Sequence, residues 1–209
     1  ADPTTMTASP SPAAAIINPT AGPSTRAPDL RRLAEGVRRA FDQAGLAGEI
    51  VFTERGGHAR ELATDFVRRG CSPIIAWGGD GTVNEVASAL ACRGAVLGIV
   101  PTGSGNGLAR ELGISRHPER ALATVAKGVI RTIDVAALGG RFFVNIAGIG
   151  LDAAVAERFN HLAGRGPLRY LWATLATVFS HVAETYTVTI AGETDAHHAL
   201  VVALANGRQ

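Results

Sequence analysis

The residues best suited to chemistry lie in a glycine-rich loop with one carboxylate, residues 78–82, which read Gly-Gly-Asp-Gly-Thr. The loop follows an apolar run at 74–77 and precedes a helical pattern that starts near Thr82. Glycines let the backbone approach a ligand closely, and the first turn of a helix offers free N–H groups and a positive dipole to a phosphate. Strand-to-helix turns also favour glycine and a capping Asp for structural reasons. Alone, the loop leaves a phosphate site and a structural turn both open.

A second loop of the same kind, residues 101–107 (Pro-Thr-Gly-Ser-Gly-Asn-Gly), also follows an apolar run and opens a helical segment. Loops that leave neighbouring parallel strands meet at one edge of the sheet, so we expect the two to converge. The Walker motif GxxxxGK[ST] is absent, and the following helix carries Arg110 instead of its lysine. The dinucleotide motif GxGxxG is also absent, because the third glycine comes one residue early. The pair therefore favours a phosphate site of another type.

The elements that position these loops alternate between strand and helix. Apolar runs predict strands at 13–17, 50–53, 74–77 and 96–100, and apolar residues at helical spacing predict helices at 30–44, 58–69, 82–91, 106–112 and 118–126. Such alternation requires parallel strands joined by right-handed crossovers. Residues 13–128 are therefore predicted to form an α/β domain that binds its ligand at the carboxyl ends of the strands.

The pattern changes after Gly128. Strands predicted at 130–138 and 142–146 flank the pair Gly139-Gly140, which indicates an antiparallel hairpin. An amphipathic helix at 168–182 and strands at 186–190 and 200–204 follow. We therefore predict a β-rich second domain over residues 129–209, and we expect it to be truncated because its strands are too few to close a pair of sheets. Residues 1–12 are interpreted as a tag and a disordered start.

Composition narrows the classes of function. The 209 residues are 46% hydrophobic, which suffices for one core and part of a second, and the net charge of +2 gives no reason to expect a nucleic-acid partner. Cys71 and Cys92 have no metal-binding neighbours, and His197-His198 have no carboxylate or thiol at ligand spacing, so no metal site is predicted. Reduced cysteines indicate a cytoplasmic location. No apolar run is long enough to span a bilayer, so we expect any membrane contact to be at the surface.

The motifs together resemble one family, the diacylglycerol kinase catalytic family, which includes sphingosine kinases and bacterial soluble lipid kinases. The resemblance spans residues 16–209 and is carried by the stretches 17–22, 78–85, 101–106, 133–134 and 145–153. It implies a phosphofructokinase-like α/β nucleotide-binding domain followed by a β-sandwich lipid-binding domain. It also implies an ATP-dependent lipid kinase that uses Mg²⁺ and phosphorylates a hydroxyl of a lipid such as diacylglycerol or a sphingoid base.

Carried over residue by residue, the resemblance makes Asp80 the catalytic carboxylate, which orients or deprotonates the lipid hydroxyl. Asp152 would face the lipid headgroup or, alternatively, cap the helix after Gly150. Arg169 would contact a phosphate, although a solvated helix cation explains it equally well. The residues implied to surround the nucleotide are Asn18, Thr20, Arg26, Thr53, Gly79, Gly81, Thr82, Glu85, Gly103, Ser104 and Arg169.

Two departures leave the acceptor lipid open. Gly107 stands where many bacterial diacylglycerol kinases have Asp, and Ala154 stands where sphingosine kinases have a second acid. The acidic C-terminal segment of the family is not among these residues. An NAD kinase, which shares the Gly-Gly-Asp-Gly loop, and a non-catalytic nucleotide-binding module are the alternatives. The apolar stripe at 168–182 is expected to face the core, and a lid that contacts the membrane is the alternative. A location peripheral to a membrane, transient contact with its surface, and a homodimer complete the expectations.

Overall fold

The computed structural model describes residues 12–22, 30–150, 183–190 and 192–207. The chain divides into two compact units, of which the first comprises Ala1–Val144 with Gly207–Gln209 and the second Asn145–Asn206. The two units are considered separately.

A four-stranded parallel sheet forms the centre of the first unit, and its strands follow the order β2-β1-β3-β4. β1 and β3 are buried along their whole length, as expected for strands covered on both faces. The predicted α/β class with a parallel sheet is thereby confirmed. The strand bounds are Ala13–Ile17 (β1), Gly48–Phe52 (β2), Ile74–Gly78 (β3) and Leu97–Pro101 (β4).

Among its described residues this unit has five helices, and the residues of β1 show that the sheet is covered on both faces. Ala14 and Ile16 pack with α2 and α3, whereas Ala15 and Ile17 pack with α1 and α5. Alternate side chains of a strand point to opposite faces, so two core layers sandwich the sheet. The helices are Leu30–Ala44 (α1), His58–Arg68 (α2), Asp80–Leu90 (α3), Gly107–Glu111 (α4) and Pro118–Lys127 (α5).

The predicted hairpin around Gly139-Gly140 is present but shorter than expected. Ala136–Leu138 (β5) pairs antiparallel with Arg141–Phe143 (β6), and the two glycines have φ of 56° and 75°, as a two-residue type I′ turn requires. Residues 130–135 were predicted to be strand, yet they pair with no strand among the described residues. A strand depends on a hydrogen-bonded neighbour, which an apolar run cannot reveal.

The hairpin is held on α3 by polar contacts. The Asn84 side chain donates to the carbonyl of Phe142 (3.2 Å) and accepts from the N–H of Val144 (3.2 Å), and Ser88 donates to the same Phe142 carbonyl (3.3 Å). These bonds tie the chain as far as Val144 to the first unit. The division between the units therefore falls later in the chain than the predicted boundary after residue 128.

The second unit is built from antiparallel strand pairs in the part of the chain that the structure describes. Ile146–Gly150 (β7) pairs with Val201–Ala205 (β10), and Glu184–Ile190 (β8) pairs with Glu193–Ala199 (β9). The predicted helix at 168–182 lies outside the described residues. A search of the described helices finds none with the length and apolarity needed to cross a bilayer.

Phe66 of α2 is the largest fully buried side chain on the α2–α3 face of the sheet. We expect Phe66→Ala to lower the free energy of unfolding by about 3–5 kcal/mol, because it leaves a cavity in a close-packed layer. Urea denaturation measures the change. Phe66→Leu keeps most of the apolar volume and should cost less than about 1.5 kcal/mol, so equal losses in the two variants would contradict this account of the core.

Candidate active site at the carboxyl edge of the sheet

The strand order creates a switch point between β1 and β3. From this point the chain continues outward to β2 on one side and to β4 on the other. The loops that leave the carboxyl ends of β1 and β3 therefore diverge and open a crevice, which is where open α/β sheets bind ligands. Asn18 follows β1 directly, and the two predicted glycine-rich loops, at 78–82 and 101–107, follow β3 and β4, so all three loops leave this edge.

The carboxylate of Asp80 links the two glycine-rich loops. Asp80 is the first residue of α3, and its Oδ2 accepts from the N–H of Asn106 at 2.8 Å while its Oδ1 accepts from the N–H of Gly107 at 2.6 Å. These two N–H groups lie at the start of α4, where no intrahelical acceptor exists for them. Asp80 thus caps α4 from a loop 26 residues away in sequence. Each oxygen keeps lone-pair capacity for a further partner.

The backbones of the two loops touch at their glycines. A Cβ added to Gly103 would lie 2.6 Å from the Cα of Gly79 and 2.9 Å from Oδ1 of Asn106. A Cβ added to Gly105 would lie 2.8 Å from Oδ2 of Asp80. Glycine is therefore required at 103 because the backbone of Gly79 leaves no room for a side chain, and at 105 because the Asp80 carboxylate occupies that space.

Asn106 closes the second loop on itself. Its Oδ1 accepts from the N–H of Gly103 at 2.9 Å, and its Nδ2 donates to the Gly103 carbonyl at 2.7 Å. The residue has a left-handed backbone (φ 55°, ψ 46°), which Asn tolerates better than most residues, and it is only 4% exposed. Asn106 belongs to the second glycine-rich loop but is not among the residues predicted for the site. An Asn between two glycines before a helix was the available signal.

The loop after β1 is joined to the start of α3. Nδ2 of Asn18 donates to the hydroxyl of Thr82 at 3.1 Å, and Oδ1 of Asn18 accepts from both the N–H and the hydroxyl of Thr20, at 3.0 and 2.9 Å. Thr82 is buried against Gly78, where a Cβ would lie 2.5 Å from the Thr82 hydroxyl oxygen. Asn18 and Thr82 therefore fix the two loops at the switch point to each other.

Gly81 is exposed and faces open space. A Cβ built on it meets no heavy atom within 4 Å, and its φ is not in the left-handed region. Gly81 therefore satisfies no steric or conformational requirement of the fold itself. It lies in the first turn of α3, where N–H groups have no intrahelical acceptor and the helix dipole is positive.

A pocket of about 390 Å³ opens beside the β1 loop. Thr102, which follows β4, contributes a buried hydroxyl that has no hydrogen-bond partner among the described residues. The wall of the pocket is mainly apolar. It is lined by Ile17, Asn18, Pro19, Ala21, Arg32, Leu33, Trp77 and Thr102.

Glu85 and Thr53 lie on the other side of the crevice, near α2. Oε1 of Glu85 accepts from the N–H of Gly57 at 2.9 Å, and Oε2 accepts from the N–H of Ala59 at 3.1 Å. The carboxylate thus contacts the start of α2. The Thr53 N–H donates to the carbonyl of Ile17 at 2.8 Å, which holds Thr53 directly beyond β2 at the same sheet edge.

The structure brings most of the predicted site residues together at one edge, while Arg26, Asp152 and Arg169 lie outside the described residues. Among the described residues no group of three or more His, Cys, Asp or Glu side chains is placed to hold a metal ion. The predicted residues that follow the carboxyl ends of the four parallel strands are Asn18, Thr20, Thr53, Gly79, Asp80, Gly81, Thr82, Gly103 and Ser104.

The family models match both halves of the chain. Residues 12–138 match the diacylglycerol kinase catalytic domain, and residues 145–209 match the YegS C-terminal NAD kinase beta sandwich-like domain. The chain therefore belongs to the diacylglycerol kinase catalytic family, and its second unit corresponds to a β-sandwich-like domain.

Individual relatives agree with this assignment. The chain is 41% identical over 138 residues to a diacylglycerol kinase of Bacillus subtilis. The aligned region covers 65% of this chain and 44% of that protein. It is 34% identical over 170 residues to sphingoid long-chain bases kinase 1 of Arabidopsis thaliana, covering 74% of this chain and 22% of that protein. A crystal structure of a putative diacylglycerol kinase from Bacillus anthracis superposes with a TM-score of 0.69 at 29% identity, covering 94% of this chain and 65% of that one. The chain spans less than half the length of these two curated relatives.

The contact between the loops predicts unequal effects of adding one methyl group to two glycines. We expect Gly103→Ala to lower the free energy of unfolding by about 1–3 kcal/mol, because the methyl group has no room beside Gly79. Gly81→Ala should leave stability unchanged or raise it by up to about 1 kcal/mol, because alanine favours the helix. Chemical denaturation of both variants measures the difference. Equal stabilities would show that the loops are not in contact.

Proposed function

We propose that the protein is an ATP-dependent lipid kinase that transfers the γ-phosphate of ATP to a hydroxyl group of a lipid. The observation that carries this proposal is the Asp80 carboxylate, which spans two glycine-rich loops beside the open first turn of α3. The diacylglycerol and sphingoid-base kinases among the relatives support lipid as the class of acceptor.

The phosphate groups of ATP are proposed to lie against the first turn of α3. Unpaired N–H groups and the positive end of the helix dipole stabilise a polyanion there. The open space at Gly81 and the absence of side chains at Gly79 and Gly103 allow close approach of phosphate oxygens to the backbone. Ser104 lies on the second loop, at the same edge.

The rest of the nucleotide is proposed to occupy the crevice beside the β1 loop. Asn18, Thr20 and Thr53 supply polar groups near it, and the pocket beside Asn18 offers an apolar wall. Arg26, and Arg169 in the second unit, are proposed to reach phosphates. A planar base needs such an apolar surface with a few hydrogen-bonding groups.

Phosphoryl transfer passes through a loose transition state whose charge spreads over the phosphate oxygens, so positioning and charge neutralisation dominate catalysis. We assign Asp80 the role of aligning the acceptor hydroxyl and accepting its proton late in the reaction. Its two backbone hydrogen bonds fix the carboxylate in one orientation. A preoriented carboxylate needs no rearrangement when the hydroxyl arrives.

Mg²⁺ is proposed to enter with ATP as part of the substrate, neutralising charge on the phosphates. Mg²⁺ is commonly held by one or two carboxylates together with substrate phosphates and water. Asp80 fits such a donor set, because it is a carboxylate beside the proposed phosphate position. A dedicated cage of protein ligands is not required.

The acceptor would lie in a membrane, so we propose transient contact with a membrane surface on its cytoplasmic side, with Asp152 near the lipid headgroup.

A screen with radiolabelled ATP over diacylglycerol, sphingoid bases, ceramide and NAD tests the acceptor class in the full-length protein. Phosphorylation of NAD alone would replace the proposal with an NAD kinase. Labelling of none of these, with retained ATP binding, would favour a non-catalytic nucleotide-binding module.

Gly81→Asp tests the phosphate position. A new carboxylate about 4 Å from a phosphate charge would repel it by roughly 4 kcal/mol at an effective dielectric of 20, so affinity should fall about a thousand-fold. The fold should be unaffected, since Gly81 faces open space. Calorimetric titration with Mg·ATP measures the loss, and Gly81→Ala is the uncharged control. Unchanged affinity in the folded Asp variant would remove this turn from the site.

Asp80→Asn tests the catalytic assignment. We expect kcat to fall by at least about 100-fold, because the amide cannot accept the proton. The amide oxygen can keep one of the two backbone hydrogen bonds, but its NH₂ group faces the second donor, so KM for ATP should rise by a smaller factor. Steady-state kinetics separates the two effects. Wild-type kcat would exclude Asp80 from the chemical step, and a defect confined to KM would make it a positioning residue.

A further inference from the structure

α3 carries a second carboxylate that connects two parts of the crevice. Glu85 lies five residues after Asp80 and is partly buried, and both of its oxygens accept backbone hydrogen bonds from the start of α2, at Gly57 and Ala59. The residue that precedes α2 is Gly57, which has no side chain to cap the helix. Glu85 therefore provides from a neighbouring helix the cap that α2 lacks locally.

This cap also holds the loop between β2 and α2, residues 53–57. One end of the loop is fixed by the Thr53 N–H, which donates to Ile17. Gly56 and Gly57 at the other end have no side chains, and Gly57 has a left-handed backbone with φ of 80°. Glycine gains the most conformational freedom when released, so a loop ending in two glycines needs an external anchor.

The same contacts argue against a phosphate group beside Glu85. Each oxygen already has a backbone donor, in the geometry of an anion at a helix N-terminus. A phosphate placed at the start of α2 would meet this negative charge at close range. The start of α4 is occupied in the same way by Asp80. A carboxylate from another element therefore binds the first N–H groups of α2 and of α4. Among the described residues, no such carboxylate binds the start of α3.

We propose that Glu85 is a positioning residue, which acts on the nucleotide site by holding the loop of residues 53–57 from the start of α2. The Thr53 end of this loop is fixed separately by its bond to Ile17, so Glu85 sets the position of the other end, at Gly57. The link to ATP rests on the nucleotide site proposed above. The cap on α2 is a property of the fold and is measurable without any ligand.

The experiment compares Glu85→Ala and Glu85→Gln in the full-length protein. Hydrogen exchange without nucleotide should show faster exchange at the amides of Gly57 and Ala59 in the Ala variant, with a smaller effect in the Gln variant, whose one amide oxygen can keep one bond. Calorimetry with Mg·ATP should show an affinity loss of at least about tenfold for Ala and less for Gln, as expected when charge-assisted hydrogen bonds that position a loop are lost.

Asp65→Asn is the matched control, since it removes a carboxylate from the far end of α2, where Asp65 pairs with Arg68 and Arg69 on the surface. It should leave both the exchange of Gly57 and Ala59 and the Mg·ATP affinity unchanged. If Asp65→Asn lost as much amide protection and Mg·ATP affinity as Glu85→Ala, the effect of Glu85 would be due to net charge or helix stability, and the proposal would be wrong.

Three results would overturn the proposal. Unchanged exchange at Gly57 and Ala59 in both Glu85 variants would show that no cap exists, whether or not ATP binds. Full ATP affinity in Glu85→Ala, with the cap lost, would show that the loop needs no positioning. Equal affinity losses in both variants with the Gln variant's amides still protected would indicate direct contact with the nucleotide. Failure of the wild-type protein to bind Mg·ATP would instead sink the proposed function and, with it, the role of Glu85 in nucleotide binding.

Discussion

The arrangement of the site depends on a backbone requirement at the start of α4. The N–H groups of Asn106 and Gly107 have no acceptor within their own helix, and the carboxylate of Asp80 satisfies both. This pairing brings the second glycine-rich loop against the first. The close approach of Gly79 and Gly103 and the bonds by which Asn106 closes its own loop accompany that pairing.

Polar side chains of α3 also form hydrogen bonds with several other elements of the first unit. Thr82 accepts from the loop after β1, Asn84 binds the β5–β6 hairpin, and Glu85 caps α2, while Asp80 holds α4. Four polar side chains within six residues therefore connect one helix to most of the first unit. Because the helix is packed into the α2–α3 core layer by Val83, Val86 and Leu90, these bonds act from a fixed base. The polar side chains of α3 are held in defined positions because the other face of this helix is buried.

The sequence predicted the parallel sheet well because buried strands such as β1 and β3 read as uninterrupted apolar runs. It also predicted that two glycine-rich loops meet, since that follows from parallel topology. What it could not supply were contacts between residues far apart in the chain. The partner of Asp80 is 26 residues away and that of Glu85 is 28 residues away, and no local periodicity encodes either. For the same reason, residues 130–135 were predicted as strand without a neighbour to pair with. A family resemblance assigned Glu85 to the nucleotide region but not to the backbone it binds.

Because Gly79 and Gly103 are in contact, the effect of a substitution in one loop depends on the residue present in the other. A Cβ at 103 would lie 2.6 Å from the Cα of Gly79, and a Cβ at 79 would lie 3.3 Å from the Cα of Gly103, so both substitutions strain one shared contact. Substitutions at the two positions should therefore be strongly epistatic, with a double variant less impaired than the sum of its parts. A search for altered acceptor or nucleotide preference that varies Gly79 or Gly103 alone would disrupt this contact. Diversity is better introduced at Gly81 and Ser104, where exposed positions on each loop leave the shared backbone contact intact.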